Sequence, residues 1–157
     1  MRTMLVALAL IASAGASAQT TPQPMQDISG KWVFQTILVK RGCKIEGDIS
    51  FTRQDKSDSY ACTFVSTETC GKGLGLSWWK VRQSCTAKAN NGAFEITSKV
   101  EEMLDAAPES ARAAMNNGRY SPDNFSVRPL NDKVMAGQFF SIDVAAVRFE
   151  RVVERVS

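Results

Sequence analysis

Histidine is missing from all 157 residues. That removes Ser-His-Asp and Cys-His nucleophile sets, imidazole-ligated metals and the usual proton shuttle near neutral pH. Cysteine is scarce. The four present, Cys43, Cys62, Cys70 and Cys85, show no Cys-x-x-Cys spacing, so thiol redox catalysis has no motif to rest on. Charge is sparse too, at 22% of residues and a net +3 with no basic run. A protein that binds nucleic acid or a membrane surface would carry a clustered basic patch. No internal repeat and no low-complexity segment is present. The sequence therefore predicts a protein that is not an enzyme, with no catalytic set, no cofactor and no metal site.

Long apolar runs are lacking except at the N-terminus. Met4 to Ala12 is apolar, follows Arg2, and leads to Ala16-Ser17-Ala18. The run is too short to span a membrane as a stable helix. A positive start, a short apolar run and an Ala-x-Ala site together make residues 1–18 a signal peptide with cleavage before Gln19. No cysteine follows that site, so no lipid anchor is expected. Export agrees with an even cysteine count, because disulfides persist in oxidising compartments. The localisation expected is periplasmic or secreted, and the short alanine-rich signal is bacterial in style. The remaining chain of about 139 residues, with a net charge of about +2, is enough for one domain. Residues 19–26 hold Pro22 and Pro24 without apolar periodicity and read as an extended tail. Residues 27–157 read as a single domain, expected to be monomeric.

All four cysteines lie between Gly42 and Cys85, and turn geometry chooses among their three pairings. Paired residues of an antiparallel hairpin are equidistant from its turn. Cys43 with Cys70 puts the fold-back between Lys56 and Ser57, inside the polar run Gln54 to Ser59. Cys62 with Cys85 puts it between Gly73 and Leu74, inside Gly71-Lys72-Gly73-Leu74-Gly75. Both centres are turn formers. Cys43 with Cys62 would instead turn at Thr52 and Arg53, within strand pattern. Parity agrees: Cys43, Ile45, Ile49 and Phe51 share one strand face, as do Cys62, Phe64 and Cys70. The predicted disulfides are Cys43–Cys70 and Cys62–Cys85.

Strands are predicted after the turn Asp27 to Gly30, near 43–52, 59–66 and 77–87, after the hairpin signal Asn90-Asn91-Gly92, and over 124–129, 134–141 and 145–153. Glu101 to Gly118 is the helical candidate, with Pro108 suited to an entry and Asn117-Gly118 to an exit. The fold class is all-β: an eight-stranded antiparallel up-and-down barrel with one short helix before the last three strands. Closure removes sheet edges; an open sandwich is the alternative.

Gly30-Lys31-Trp32 at the start of the first strand resembles the Gly-x-Trp motif of lipocalins and other calycins. In that group an arginine of the last strand packs across the tryptophan at the closed end. The resemblance implies a lipocalin-like barrel with Arg151, which shares a face with Val147 and Phe149, lying on Trp32. The helix before the last three strands departs from the lipocalin order. The chain also resembles exported bacterial inhibitors of metalloproteases, small disulfide-bearing barrels that reach into the protease with an N-terminal segment; residues 19–26 would then have that role.

Other features have simple accounts. Glu101, Glu102 and Asp105 would sit at the start of the helix, where acids meet the dipole. The glycine-rich Gly71–Gly75 precedes a strand, whereas a phosphate loop precedes a helix. Tyr120 to Phe125 reads as a turn into a strand, with Asp123 or Asn124 bonding to local backbone. Trp78 and Trp79 point to opposite faces, so one should be buried and the other partly exposed, and the exposed one could mark a binding surface. The expected function is an exported binding protein carrying a small apolar ligand in the barrel or at its mouth. The alternative is a protease inhibitor or protein-interaction module of the bacterial envelope, using the tail or the Trp78/Trp79 surface.

Overall fold

The computed structural model describes residues 26–36, 42–54, 58–71, 76–116 and 120–153. The predicted signal peptide and nearly all of the predicted tail lie outside them. Eight strands close into an antiparallel barrel in sequence order: β1 (Gly30–Thr36), β2 (Cys43–Arg53), β3 (Ser59–Gly71), β4 (Leu76–Asn90), β5 (Ala93–Ala107), β6 (Asn124–Asn131), β7 (Val134–Phe140) and β8 (Val144–Arg151). One helix, α1 (Glu109–Asn116), stands between β5 and β6. No helix among the described residues is long and apolar enough to cross a membrane.

The cysteine arithmetic holds along both hairpins. Cys43 faces Cys70 across β2–β3 and Cys62 faces Cys85 across β3–β4. Both pairs are disulfides, with Cα separations of 4.0 and 4.8 Å. The Asn91-Gly92 turn takes positive φ at both residues, 49° and 78°, the twist that suits a two-residue hairpin.

The helical candidate is shorter than predicted. Glu101 to Ala107 is strand, and only Glu109–Asn116 is helix. Residues 101–107 are good helix formers, but laddering along β4 overrides that local preference. Register shifts at Lys80/Val81 and Arg82/Gln83 break the in–out alternation that would have marked a strand in the sequence. The acidic cluster is thus on a strand and not at a helix start. Glu101 accepts from Ser84 Oγ at 2.6 Å, Glu102 pairs with Arg82, and Asp105 pairs with Arg112 at 2.7 Å.

Inward positions of every strand fill the lumen. Phe125 lies 5.1 to 5.9 Å, between ring centroids, from Phe34, Phe64, Phe139 and Phe149. Ile45, Ile49, Ile96, Val127, Met135 and Val147 pack around them, all buried. Tyr60 meets Phe94 edge-on at 5.7 Å toward the lower end. Side chains of this size and number suffice to fill an eight-stranded barrel.

The lower end closes on Trp32, which has no exposed surface. Its indole N–H donates to Ile28 O at 2.9 Å. The Arg151 guanidinium lies 4.4 Å above the ring, and Trp32 and Arg151 are register partners across β1–β8. Its N–H groups donate to the carbonyls of Ser29, Asp27 (2.8 Å) and Asp132 (2.8 Å). A planar cation can stack on an indole while its edge satisfies chain carbonyls. Asp27 anchors the entry turn. The Ser29 backbone N–H, then its hydroxyl, hold the Asp27 carboxyl below its usual range. Burial, helped by the bond to Asp27, raises Tyr60. Gln26, placed in the tail by the sequence reading, donates to Asn131 O at 2.8 Å and so already belongs to this floor.

Candidate functional site

A recess of about 530 Å³ opens on the outer wall. It is built by register. Outward side chains of five adjacent strands form two cross-strand rows: Glu150, Val33, Asp48 and Val65 in one, Arg148, Gln35, Glu46, Thr67 and Lys80 in the other. Phe34 and Gly47 complete the lining. Gly47 explains how three strands come so close there. A Cβ on it would stand 2.3 Å from Val65 O and 2.9 Å from the Phe34 ring, so only glycine fits.

The recess carries both signs of charge around an apolar floor. Arg148 is paired with Glu150 at 2.8 Å and Glu46 with Lys44 at 2.5 Å. Lys80 and Asp48 have no ion pair among the described residues. Val33 is 40% exposed and stands beside Asp48 on the side away from Lys80, which leaves apolar surface available next to the carboxylate. The volume falls in the range of ordinary ligand sites, and its surface offers one cation, one carboxylate and an apolar patch to an extended polar chain.

A second constellation lies inside the upper end, above the aromatic rings. Asp123 is 1% exposed, on the approach to β6. Its Oδ2 accepts from Gln83 Nε2 (2.6 Å), Ser66 Oγ (2.8 Å) and Tyr120 Oη (2.8 Å). Its backbone N–H donates to Gln83 Oε1 at 3.0 Å. The Ser98 hydroxyl lies within hydrogen-bond distance of Asp123 O and Gln83 Oε1. Oδ1, equally buried, has no partner. Burial pushes the Asp123 carboxyl up to about 6, against the lowering effect of its three donors. Burial, then the Asp123 charge, raises Tyr120 well above the usual phenol range. The sequence reading gave Asp123 or Asn124 a local backbone bond. Asn124 makes one, to Pro122 O at 3.4 Å, but the Asp123 side chain instead reaches β3 and β4. Beside Tyr120 a cavity of about 30 Å³ is lined by Ile45, Glu68, Ser121 and Phe139 among others, room for a water or two.

Trp78 and Trp79 are both half-buried, so both are partly exposed and the expected full burial of one is not met. The Trp79 indole donates to Ala111 O at 3.3 Å and is tied to α1, which takes part of it from any binding surface. Among the described residues, Cys43, Glu68 and Cys70 group their potential ligand atoms within 4.8 Å, but the disulfide occupies both sulfurs. Gly71 ends β3 and Leu76 begins β4; the loop between them lies outside the described residues.

The fold defines a class: an all-β, disulfide-stapled eight-stranded antiparallel barrel, consistent with a calycin-like fold. No family model, no curated protein and no solved structure matches the chain. Two disulfides suit an oxidising compartment, extracellular or periplasmic.

Proposed function

We propose that this chain is an exported, non-enzymatic interaction domain of the bacterial envelope that holds a segment of a partner protein in its outer recess. The observation that carries this reading is the contrast between wall and lumen. The recess of about 530 Å³ presents Lys80, Asp48 and exposed Val33, whereas the barrel axis is occupied by Phe125 and the four rings around it. An apolar ligand held inside would have to displace those rings, at a cost of several kcal/mol for each one lost from the core. A partner segment with an apolar side chain, then a cation, then a carboxylate further along matches the order Val33, Asp48, Lys80 across the wall. The signal-like N-terminus, the even cysteine count and the lipocalin-like floor support export and a binding role.

The test places a photo-crosslinking residue at Val33, with Thr97 on the outside of β5 as control, in protein expressed with its own leader. Crosslinks to one defined envelope protein from Val33 alone, lost in Lys80→Glu/Asp48→Lys, support the reading. Equal labelling at both positions counts against it. Native mass spectrometry showing a small apolar molecule retained by the purified protein would return the reading to a carrier.

A further inference from the structure

A polar layer lies under the upper end of the barrel, centred on Asp123. Among the described residues, Asp123 is the only buried acidic or basic side chain. Three donors converge on Oδ2 and none reaches Oδ1. The elements packed against it offer no cation among the described residues: β3 gives Ser66, β4 gives Gln83, β5 gives Ser98, and its own segment gives Tyr120. Among the described residues the other titratable groups at this end are acidic: Glu68 of β3 acts on Tyr120, and Glu68 and Asp143 line the cavity beside it. Among the described residues a carboxylate there is a buried charge held by neutral dipoles, a costly arrangement. A neutral carboxyl has no such cost. The Ser66 and Tyr120 hydroxyls can each turn to accept its proton, which keeps the same groups in contact.

We propose that Asp123 is a proton-controlled latch: neutral, it locks the Tyr120–Asp123 segment onto β3, β4 and β5; ionised, it loosens that segment and admits solvent to the upper end of the barrel. The small cavity beside Tyr120 is where that entry begins. The folded carboxyl titrates near 6, against a usual 3.8 once released. The latched state therefore binds the proton more tightly than the open one, and latching is strongest in acid. It weakens as pH rises from about 4 to 6 and changes little above that. The inference is independent of the recess.

Amide exchange followed by NMR tests it. The Asp123 N–H bonds to Gln83 Oε1 and the Ser98 N–H to Asn124 Oδ1, so both report opening of the segment. After correction for intrinsic exchange, their opening should rise roughly tenfold per pH unit between pH 4 and 6 and level off above, about a hundredfold in all. It should exceed the opening of the Phe64 amide in β3 and be insensitive to low urea. Asp123→Asn should make it flat with pH. Tyr120→Phe removes one donor to the carboxylate and should move the midpoint upward; it decides the matter even if Asp123→Asn does not fold. Exchange that is flat with pH in the unmodified protein overturns the latch. So does a Tyr120→Phe midpoint that stays put, or Asp123 and Ser98 amides that exchange only with Phe64 and with the same urea dependence.

Discussion

Truncating Arg151 should weaken the barrel far more than truncating its neighbour on the other face of β8, Arg148. The stack on Trp32, at 4.4 Å, contributes about 1 kcal/mol. The three carbonyl bonds are charge-assisted, but the guanidinium is only half-buried, so solvent screening cuts their joint contribution to about 1–2 kcal/mol. Arg151→Ala should therefore cost about 2–3 kcal/mol. Trp32→Ala removes a fully buried indole and should cost about 3–5 kcal/mol. Arg148→Ala loses an exposed pair with Glu150 and should cost under about 0.5 kcal/mol. Urea unfolding of the oxidised protein measures all three, with a common slope as the check on two-state behaviour. The double variant should cost less than the sum of Trp32→Ala and Arg151→Ala, by about the stacking energy. If Arg151→Ala and Arg148→Ala prove equally silent, the closing role of the guanidinium is wrong, whatever Trp32→Ala does.

Gly47→Ala places a methyl 2.3 Å from Val65 O and should destabilise by about 2 kcal/mol or more, read as a lower urea midpoint; an unchanged midpoint would mean that the strands are not held this close. Replacing both members of either disulfide by serine should cost about 3 kcal/mol for loops of 27 and 23 residues, and peptide mapping without reduction should recover only the pairs Cys43–Cys70 and Cys62–Cys85. Asp123 makes the protein more stable in acid than its other carboxylates alone would. Its raised value contributes stability fully present below about pH 3.8 and lost by about pH 6, of order 3 kcal/mol, so the difference between the unmodified protein and Asp123→Asn should shift by that amount between pH 4 and 7. A constant difference would show that the carboxyl titrates normally.

The sequence carried the hairpins because two constraints of different kind coincided there. Cysteine spacing fixes a fold-back point, turn chemistry fixes another, and at Lys56/Ser57 and Gly73/Leu74 they agree. That pair of centres sets the register of β2, β3 and β4, and register sets which side chains face inward. Trp32 and Arg151 were legible from the Gly-x-Trp resemblance, which implies an arginine of the last strand on the tryptophan; closure makes the first and last strands neighbours, and inward parity with Val147 and Phe149 picks Arg151 over Arg148. The upper half of β5 was not legible. Its residues favour helix locally, and the two register shifts against β4 remove the period-2 pattern that would have argued otherwise. A strand whose alternation is broken twice in seven residues looks in sequence like a helix or a loop.

The outer recess and the Asp123 network were hidden by a different limit. Parity says that Val33, Asp48, Lys80 and Arg148 face outward, and outward polar residues in a barrel usually meet only water. What makes these a recess is the close approach of three strands at Gly47, a contact between residues far apart in sequence that no local pattern encodes. Asp123 is harder still. Ser-Pro-Asp-Asn is a turn sequence, and turn aspartates ordinarily bond to nearby backbone. Its partners, Ser66 and Gln83, lie 57 and 40 residues away and are interior only because β3 and β4 continue past the aromatic layer. Gln83 was the available signal: it sits on β4 at the parity of Cys85 and Ala87, so an inward amide required an inward partner of matching polarity. Following that one demand would have drawn a buried acceptor into the upper barrel, and the acceptor found there is Asp123.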